Sequence, residues 1–364
     1  MPGIGITGGR FGGGGGGSAS ITVGIYSDAG YTTLITDGGF GDTVYPKAVV
    51  TGATPSSYLF IARLNDDFYF IDENGTGEVT WVIDVPLGNI EIIVIADDVI
   101  SNLVAFEITG LLLDAFPTCN GAFSVRKLLS TYTGNCMVVR RSSDSLTLGV
   151  GFVSGELDIA SIVTFVGVGN GFDAIWYDQT STGNASQVTA NDQPFIAISG
   201  AVTTVGGVPT VTFTTSGEFM SIAPRTVISG FMVERKASNT LSAQYTLGGN
   251  VQGISVGGTF DSYVNNISLY TSGGSLISYV DDTLNHQISF NTGTAGSASI
   301  YVDGALEASG TTSASMTISM IGSRPDATSL AHIGSISEII LFPDNQIASR
   351  ATIETSQQTY FGTP

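Results

Sequence analysis

Positive charge is scarce in this chain: 12 Lys and Arg stand against 31 Asp and Glu, a formal net charge of −19. So acidic a surface repels phosphate backbones, and nucleic acid is excluded as an expected partner. Histidine is nearly missing. The two present, His286 and His332, each fall in or beside a strand pattern, which leaves little for Ser-His-Asp chemistry or a His-based metal centre. Two cysteines, Cys119 and Cys136, are too few for a disulfide framework. They either pair with each other or stay free, as in a protein made in a reducing cytosol. No apolar run approaches the ~18–20 residues that span a bilayer; the best, 90–100, is broken by Glu91, Asp97 and Asp98. The opening from Met1 to Phe11 has neither a basic nor an apolar leader region, so no secretory signal is expected. The glycine run at 12–17 lacks a following Lys-Ser/Thr and is no phosphate loop.

What is present is glycine, 48 residues of it, in a chain with only 12% charged residues. That balance favours many short strands and turns over long salt-bridged helices. The pattern divides into three parts. Residues 1–19 form a Gly-rich arm, either a flexible tail or a strap that anchors to a neighbouring subunit through Ile4, Ile6 and Phe11. Residues 20–112 show about seven strand patterns with turns at sandwich spacing, an immunoglobulin-like β-sandwich in architecture. Within it, Asp66, Asp67, Asp72 and Glu73 make an acidic patch, read either as a solvated face or as a calcium site. No other cofactor is expected. Residues 113–364 then give strand after strand, with a type I′ hairpin signal at Asp303-Gly304 and a last apolar strand at 336–342. Short helices are expected at 157–166 (Asp158 near its start), at about 343–360 (Asp344 as N-cap; Ile347, Ala351 and Ile353 inward), and at 123–130. The fold class is therefore all-β with a few peripheral helices.

The order of residues is most unusual at 121–198. It reads Ser124-x-Arg126-x-Leu128, then Tyr132-x-Gly134, Arg140-Arg141-Ser142-Ser143-Asp144 and Gly151-Phe152, with Gly155-Glu-Leu-Asp158 following. Trp176-Tyr177-Asp178-Gln179, Gly183-Asn184 and Gln193-Pro194 complete it. Two readings fit these residue types. In one, Arg140, Arg141, Asp144 and Asp178 form a buried ion-pair network, guanidinium forks on carboxylates, while Asp178-Gln179 and Gly183-Asn184 staple a turn. In the other, Trp176, Tyr177, Asp178 and Gln179 face a carbohydrate.

This order, with the closing strand at 336–342, resembles the catalytic domain of the fungal arabinofuranosidase B family. It is still more similar to phage virion proteins that share the motif without known activity. The resemblance spans most of 119–360. It implies a concanavalin A-like jelly-roll sandwich for 113–364. It also implies a virion surface protein (spike, head fibre or tail fibre), made in the host cytoplasm and displayed on the particle. Such a protein would adhere to a host surface glycan and contact other virion proteins through the arm and small sandwich. A homo-oligomer, a trimer above other states, goes with that reading. The alternatives are a glycoside hydrolase or depolymerase acting on host polysaccharide, and a decoration or cement protein without ligand. Hydrolysis needs two carboxyls about 5–5.5 Å apart for retention. Asp173, Asp178, Glu218, Glu234, Asp261, Asp281 and Asp282 are available, but the adjacent cysteine pair of the active enzymes is missing, and no residue is assigned a catalytic role.

Overall fold

The computed structural model describes residues 20–26, 37–39, 43–51, 57–64, 67–74, 76, 81–82, 88–96, 99–100, 104–215, 217–237, 244–249, 252–256, 267–271, 274–278, 283–293, 298–323 and 332–364. The arm at 1–19 lies outside them, as do Asp66, Asp261, Asp281, Asp282 and the side chains of Asp67, Asp72 and Glu73. The chain divides into two units, Met1–Ala115 and Phe116–Pro364. The division falls just beyond the expected 112/113, because the turn Leu112–Ala115 goes with the first unit.

In the first unit the strands form two sheets. Ser20–Tyr26, Thr43–Thr51 and Trp81–Val82 make one; Asp37–Gly39, Val104–Thr109, Gly88–Ala96, Tyr58–Leu64 and Asp67–Asn74 make the other, with Val99–Ile100 paired to the end of Gly88–Ala96. Val23 and Ile25 are buried alternately on one strand, whereas Ile92, Ile93 and Val94 are buried consecutively on another.

The second unit is built on one large curled sheet that closes on itself, with two small hairpin sheets, Phe152–Val153 with Glu156–Leu157 and Thr204–Val205 with Val208–Pro209, and its pairing is antiparallel throughout. Its central strand is Gly334–Phe342, flanked by Gly121–Ser124, Val211–Phe213 and Ser229–Lys236. A strand with neighbours on both edges and packing on both faces reads as a nearly unbroken apolar run. Ile336, Ile339, Ile340, Leu341 and Phe342 are accordingly all fully buried. Ser229–Lys236 is buried along almost its whole length, whereas Met220–Val227 alternates inward and outward. The expected hairpin forms: Asp303 and Gly304 both take positive φ, 51° and 83°, between Ala298–Val302 and Ala305–Gly310. The core gathers side chains from across the unit, among them Phe123, Trp176, Phe213, Phe290 and Phe361.

Two of the three expected helices form. Helix α1 spans Ile159–Val166, capped by Asp158, which accepts from the Ser161 N–H at 3.0 Å and the Ser161 hydroxyl at 2.6 Å. Helix α2 spans Arg350–Phe361, starting well after the expected residue 343. Asp344 is not its cap. Its Oδ1 accepts instead from Gln346 Nε2 at 2.9 Å and from the Thr118 hydroxyl at 3.2 Å, which fixes a turn ahead of the helix. Ile353 faces the core as expected, but Ile347 and Ala351 are exposed. The helix expected at 123–130 is absent: Gly121–Ser124 is a strand paired to Glu338–Leu341, because joining the central strand buries Ala122 and Phe123 completely.

Candidate functional site

Tyr177, Asp178 and Gln179 sit just past the strand Gly171–Trp176, where the chain leaves the sheet for the turn at 178–184. Opposite stands the segment 129–134. Between them lies an open groove of about 640 Å³, whose walls include Thr131, Tyr132, Thr133, Tyr177, Ser181 and Asn184.

Asp178 and Gln179 build the groove from beneath. Asp178 is 1% exposed. Its Oδ1 accepts from the Ala122 N–H at 2.9 Å, the Thr180 N–H at 2.9 Å and the Thr180 hydroxyl at 2.8 Å. Its Oδ2 accepts from the Thr182 hydroxyl at 2.7 Å and from Arg225 Nη1 at 3.0 Å. Arg225 in turn donates to the Asn120 and Gly183 carbonyls and lies 5.3 Å over the Phe123 ring. Gln179 clamps the opposite wall at its root. Its Oε1 accepts from the Leu128 N–H at 2.7 Å and its Nε2 donates to the Arg126 carbonyl at 2.8 Å. A buried polar group is tolerated only when paired, and these two side chains are paired at every oxygen. They hold the two walls at a fixed separation.

The walls carry the groups left for a ligand. Tyr132 donates its hydroxyl to the Asn135 carbonyl at 2.7 Å and packs edge-on to Phe152 at 6.4 Å, so its ring has one orientation. Burial pushes its hydroxyl pKa up to about 12. A Cβ at Gly134 would meet the Tyr132 hydroxyl at 2.5 Å, so a larger residue there would displace the ring. Tyr177 is half-buried, and its hydroxyl makes no hydrogen bond among the described residues. Asn184 uses its Oδ1 on the Asp178 N–H at 3.2 Å, which leaves its amide N–H groups facing outward. Ser181, Thr131 and Thr133 are exposed and add hydroxyls. The result is two tyrosine rings among neutral donors and acceptors, on a floor whose side-chain oxygens are all hydrogen-bonded.

The structure separates the residues singled out in the sequence. Trp176 does not reach the groove. It is fully buried, packed edge-on to Phe123 at 6.1 Å, with its indole N–H directed at the Ser124 carbonyl. Nor do the four charged residues form one network. Arg141 pairs with Asp144 on the surface at 2.6 Å and holds that carboxyl down at about 2. Arg140 meets neither Asp144 nor Asp178: it donates to Gln193 Oε1 at 2.6 Å and the Ala190 carbonyl at 2.8 Å, and stacks on Phe172 at 4.3 Å. Asp178 pairs with Arg225. Arg225 was the residue that sequence reasoning missed; its signal was a lone cation inside the alternating strand Met220–Val227.

A second clamp stands at the central strand. Glu338 is fully buried and takes a bidentate fork from Arg126, Nε at 2.8 Å and Nη2 at 2.9 Å, plus the Ser124 hydroxyl at 2.6 Å. Arg126 also lies 4.5 Å over the Tyr360 ring on α2, whose hydroxyl donates to Glu156. The other described carboxyls named as catalytic candidates, Asp173, Glu218 and Glu234, are not among the residues lining the groove. Asp173 is buried in the core, neither oxygen has a hydrogen-bond partner, and burial pushes its pKa well up. Glu218 closes a turn by accepting from the Thr214 N–H and hydroxyl. Glu234 lies 3.7 Å from His332, whose pKa burial lowers to about 4. His286 pairs with Asp303 at 2.6 Å. Cys119 and Cys136 are both free thiols, and Cys136 donates to the Ser124 carbonyl at 3.2 Å. Among the described residues no group of three or more His, Cys, Asp or Glu is placed to hold a metal, and no helix is long and apolar enough to cross a membrane.

No protein-family model and no curated protein matches this chain. Among solved structures it is similar to a GH54 α-L-arabinofuranosidase soaked with a cyclic sulfate inhibitor, at 16% identity and a TM-score of 0.47. It is also similar to an arabinofuranosidase complexed with arabinofuranosyl-α-1,2-xylobiose, at 16% identity and a TM-score of 0.45. Each alignment covers 65% of this chain and 62% of the other.

Proposed function

We propose that the second unit is a saccharide-binding β domain, and that the groove between 129–134 and 177–184 is where it holds a glycan. One observation carries this reading: the two walls present Tyr132 and Tyr177 with Thr131, Thr133, Ser181 and Asn184, while the side-chain oxygens of Asp178 and Gln179 beneath them are all engaged within the protein. Sugars offer an apolar ring face and a fringe of hydroxyls. Amphipathic aromatic rings with a few placed neutral donors and acceptors suit both. A rigid floor cuts the ordering cost of binding.

Binding is favoured over cleavage at this groove. A glycosidase needs two carboxyls flanking the bond. Asp178 is the one carboxylate among the described lining residues, and both its oxygens are engaged. The wider setting, an oligomeric adhesin displayed on a phage particle with its first 112 residues turned to other virion proteins, rests on the motif order at 122–198.

The test is a glycan array probed with the full chain and with Tyr177→Ala. Retention of at least one glycan by the native protein, weakened about tenfold or more by the substitution, is the expected result. No retention, or retention that ignores Tyr177, contradicts the proposal. Release of reducing sugar from a bound polysaccharide would replace binding by hydrolysis as the function.

A further inference from the structure

The charge around this groove narrows the ligand class. None of the described side chains lining it is a Lys, Arg or His. Arg225, the cation beneath the floor, is committed to Asp178, to the Asn120 carbonyl and to the Gly183 carbonyl. Lys127, at the root of the 129–134 wall, directs its ammonium to the Ser130 carbonyl at 2.9 Å. The one formal charge on the lining, Asp178, is cancelled by its partner. A uronate, sialate or phosphate brought here would lose part of its hydration without a charge-assisted partner, an unfavourable exchange. At longer range it would approach a chain of net charge −19, which slows encounter.

We infer that the groove selects uncharged saccharides and rejects acidic ones, an inference that rests on the saccharide-binding reading above. Specificity of this kind comes from withholding a cation as much as from adding a contact. Neutral hydroxyls, by contrast, find what the walls offer: the Tyr177 hydroxyl, the Asn184 amide and the hydroxyls of Ser181, Thr131 and Thr133.

The experiment prints neutral glucan, galactan, mannan and arabinan fragments beside uronate, sialylated and phosphorylated glycans. The full chain is applied at about 20 mM and about 500 mM salt, since screening separates charge effects from contact effects. Neutral fragments alone should be retained, with less than about a twofold change in affinity between the two salts, because no ion pair is formed. Thr133→Lys, an exposed wall position, should gain acidic glycans by about tenfold at low salt and lose that gain at high salt. An acidic glycan held by the native protein as tightly as the best neutral one would overturn the inference and leave saccharide binding standing. Failure of Thr133→Lys to gain acidic ligands would overturn it as well, by showing that charge is not what excludes them. Retention of no glycan of either class would instead overturn the saccharide-binding reading, and this inference with it.

Discussion

Two aspartates of the motif-rich stretch, Asp144 and Asp178, each pair with an arginine, and the two pairs have opposite weight. Arg141 and Asp144 meet at 2.6 Å, with side chains 28% and 41% exposed. Arg225 and Asp178 meet at a longer 3.0 Å, with side chains 7% and 0% exposed. Distance alone ranks them the wrong way. An exposed pair is screened by water and contributes little. A buried pair is costly to assemble, and removing one partner strands the other charge. Asp173, five positions before Asp178, supplies the third case: equally buried, with no ion-pair partner among the described residues. Identical residue types thus serve as surface decoration, structural clamp and unpaired core acid, and surroundings alone decide which.

Substitutions can break this ranking at each step. The largest loss is expected from Asp178→Ala, which leaves Arg225 buried and unpaired; chemical denaturation should show about 3–5 kcal/mol of lost stability. Glu338→Ala, which strands Arg126, should fall in the same class. A smaller loss, about 1–3 kcal/mol, is expected from Gln179→Ala, which orphans the Leu128 N–H.

Asp173→Asn should act in the opposite direction. Burial raises the pKa of the native Asp173 above its unfolded value, so the native state retains a proton that the unfolded chain releases. Stability from this group is complete below the ordinary aspartate pKa of about 4 and declines as pH rises from there toward the native value. The variant should therefore melt higher than the native protein near neutral pH, with the gap closing in acid. His332 works with the other sign. Its pKa is lowered to about 4, so its contribution is lost as pH falls from about 6.5 through 4. Arg141→Ala comes last, and should leave the melting temperature unchanged within error.

What the sequence disclosed was the all-β class and two of the three helices it led one to expect. Alternation and turn chemistry located the strands, and Asp303-Gly304 announced its hairpin. Asp158 named the start of α1. What escaped was whatever depends on residues distant in the chain. Phe123 lies in a segment readable as a helix, and only its pairing with Ile339 on the central strand makes it sheet. Asp178 finds its partner 47 positions away, on a strand whose alternation gives no hint of which neighbour it will face. Trp176 and Tyr177 were legible as alternating, but which ring turned inward depended on Phe123 and on the fold as a whole.

Tyr177→Ala tests the central division, a spent floor beneath a binding wall, most directly through its affinity for a neutral oligosaccharide that the native protein retains. The expected result is an unchanged melting temperature with about tenfold weaker binding or worse, a loss of about 1.4 kcal/mol or more. Native-like affinity in the folded variant would contradict it and place the ligand, if any, elsewhere on the molecule.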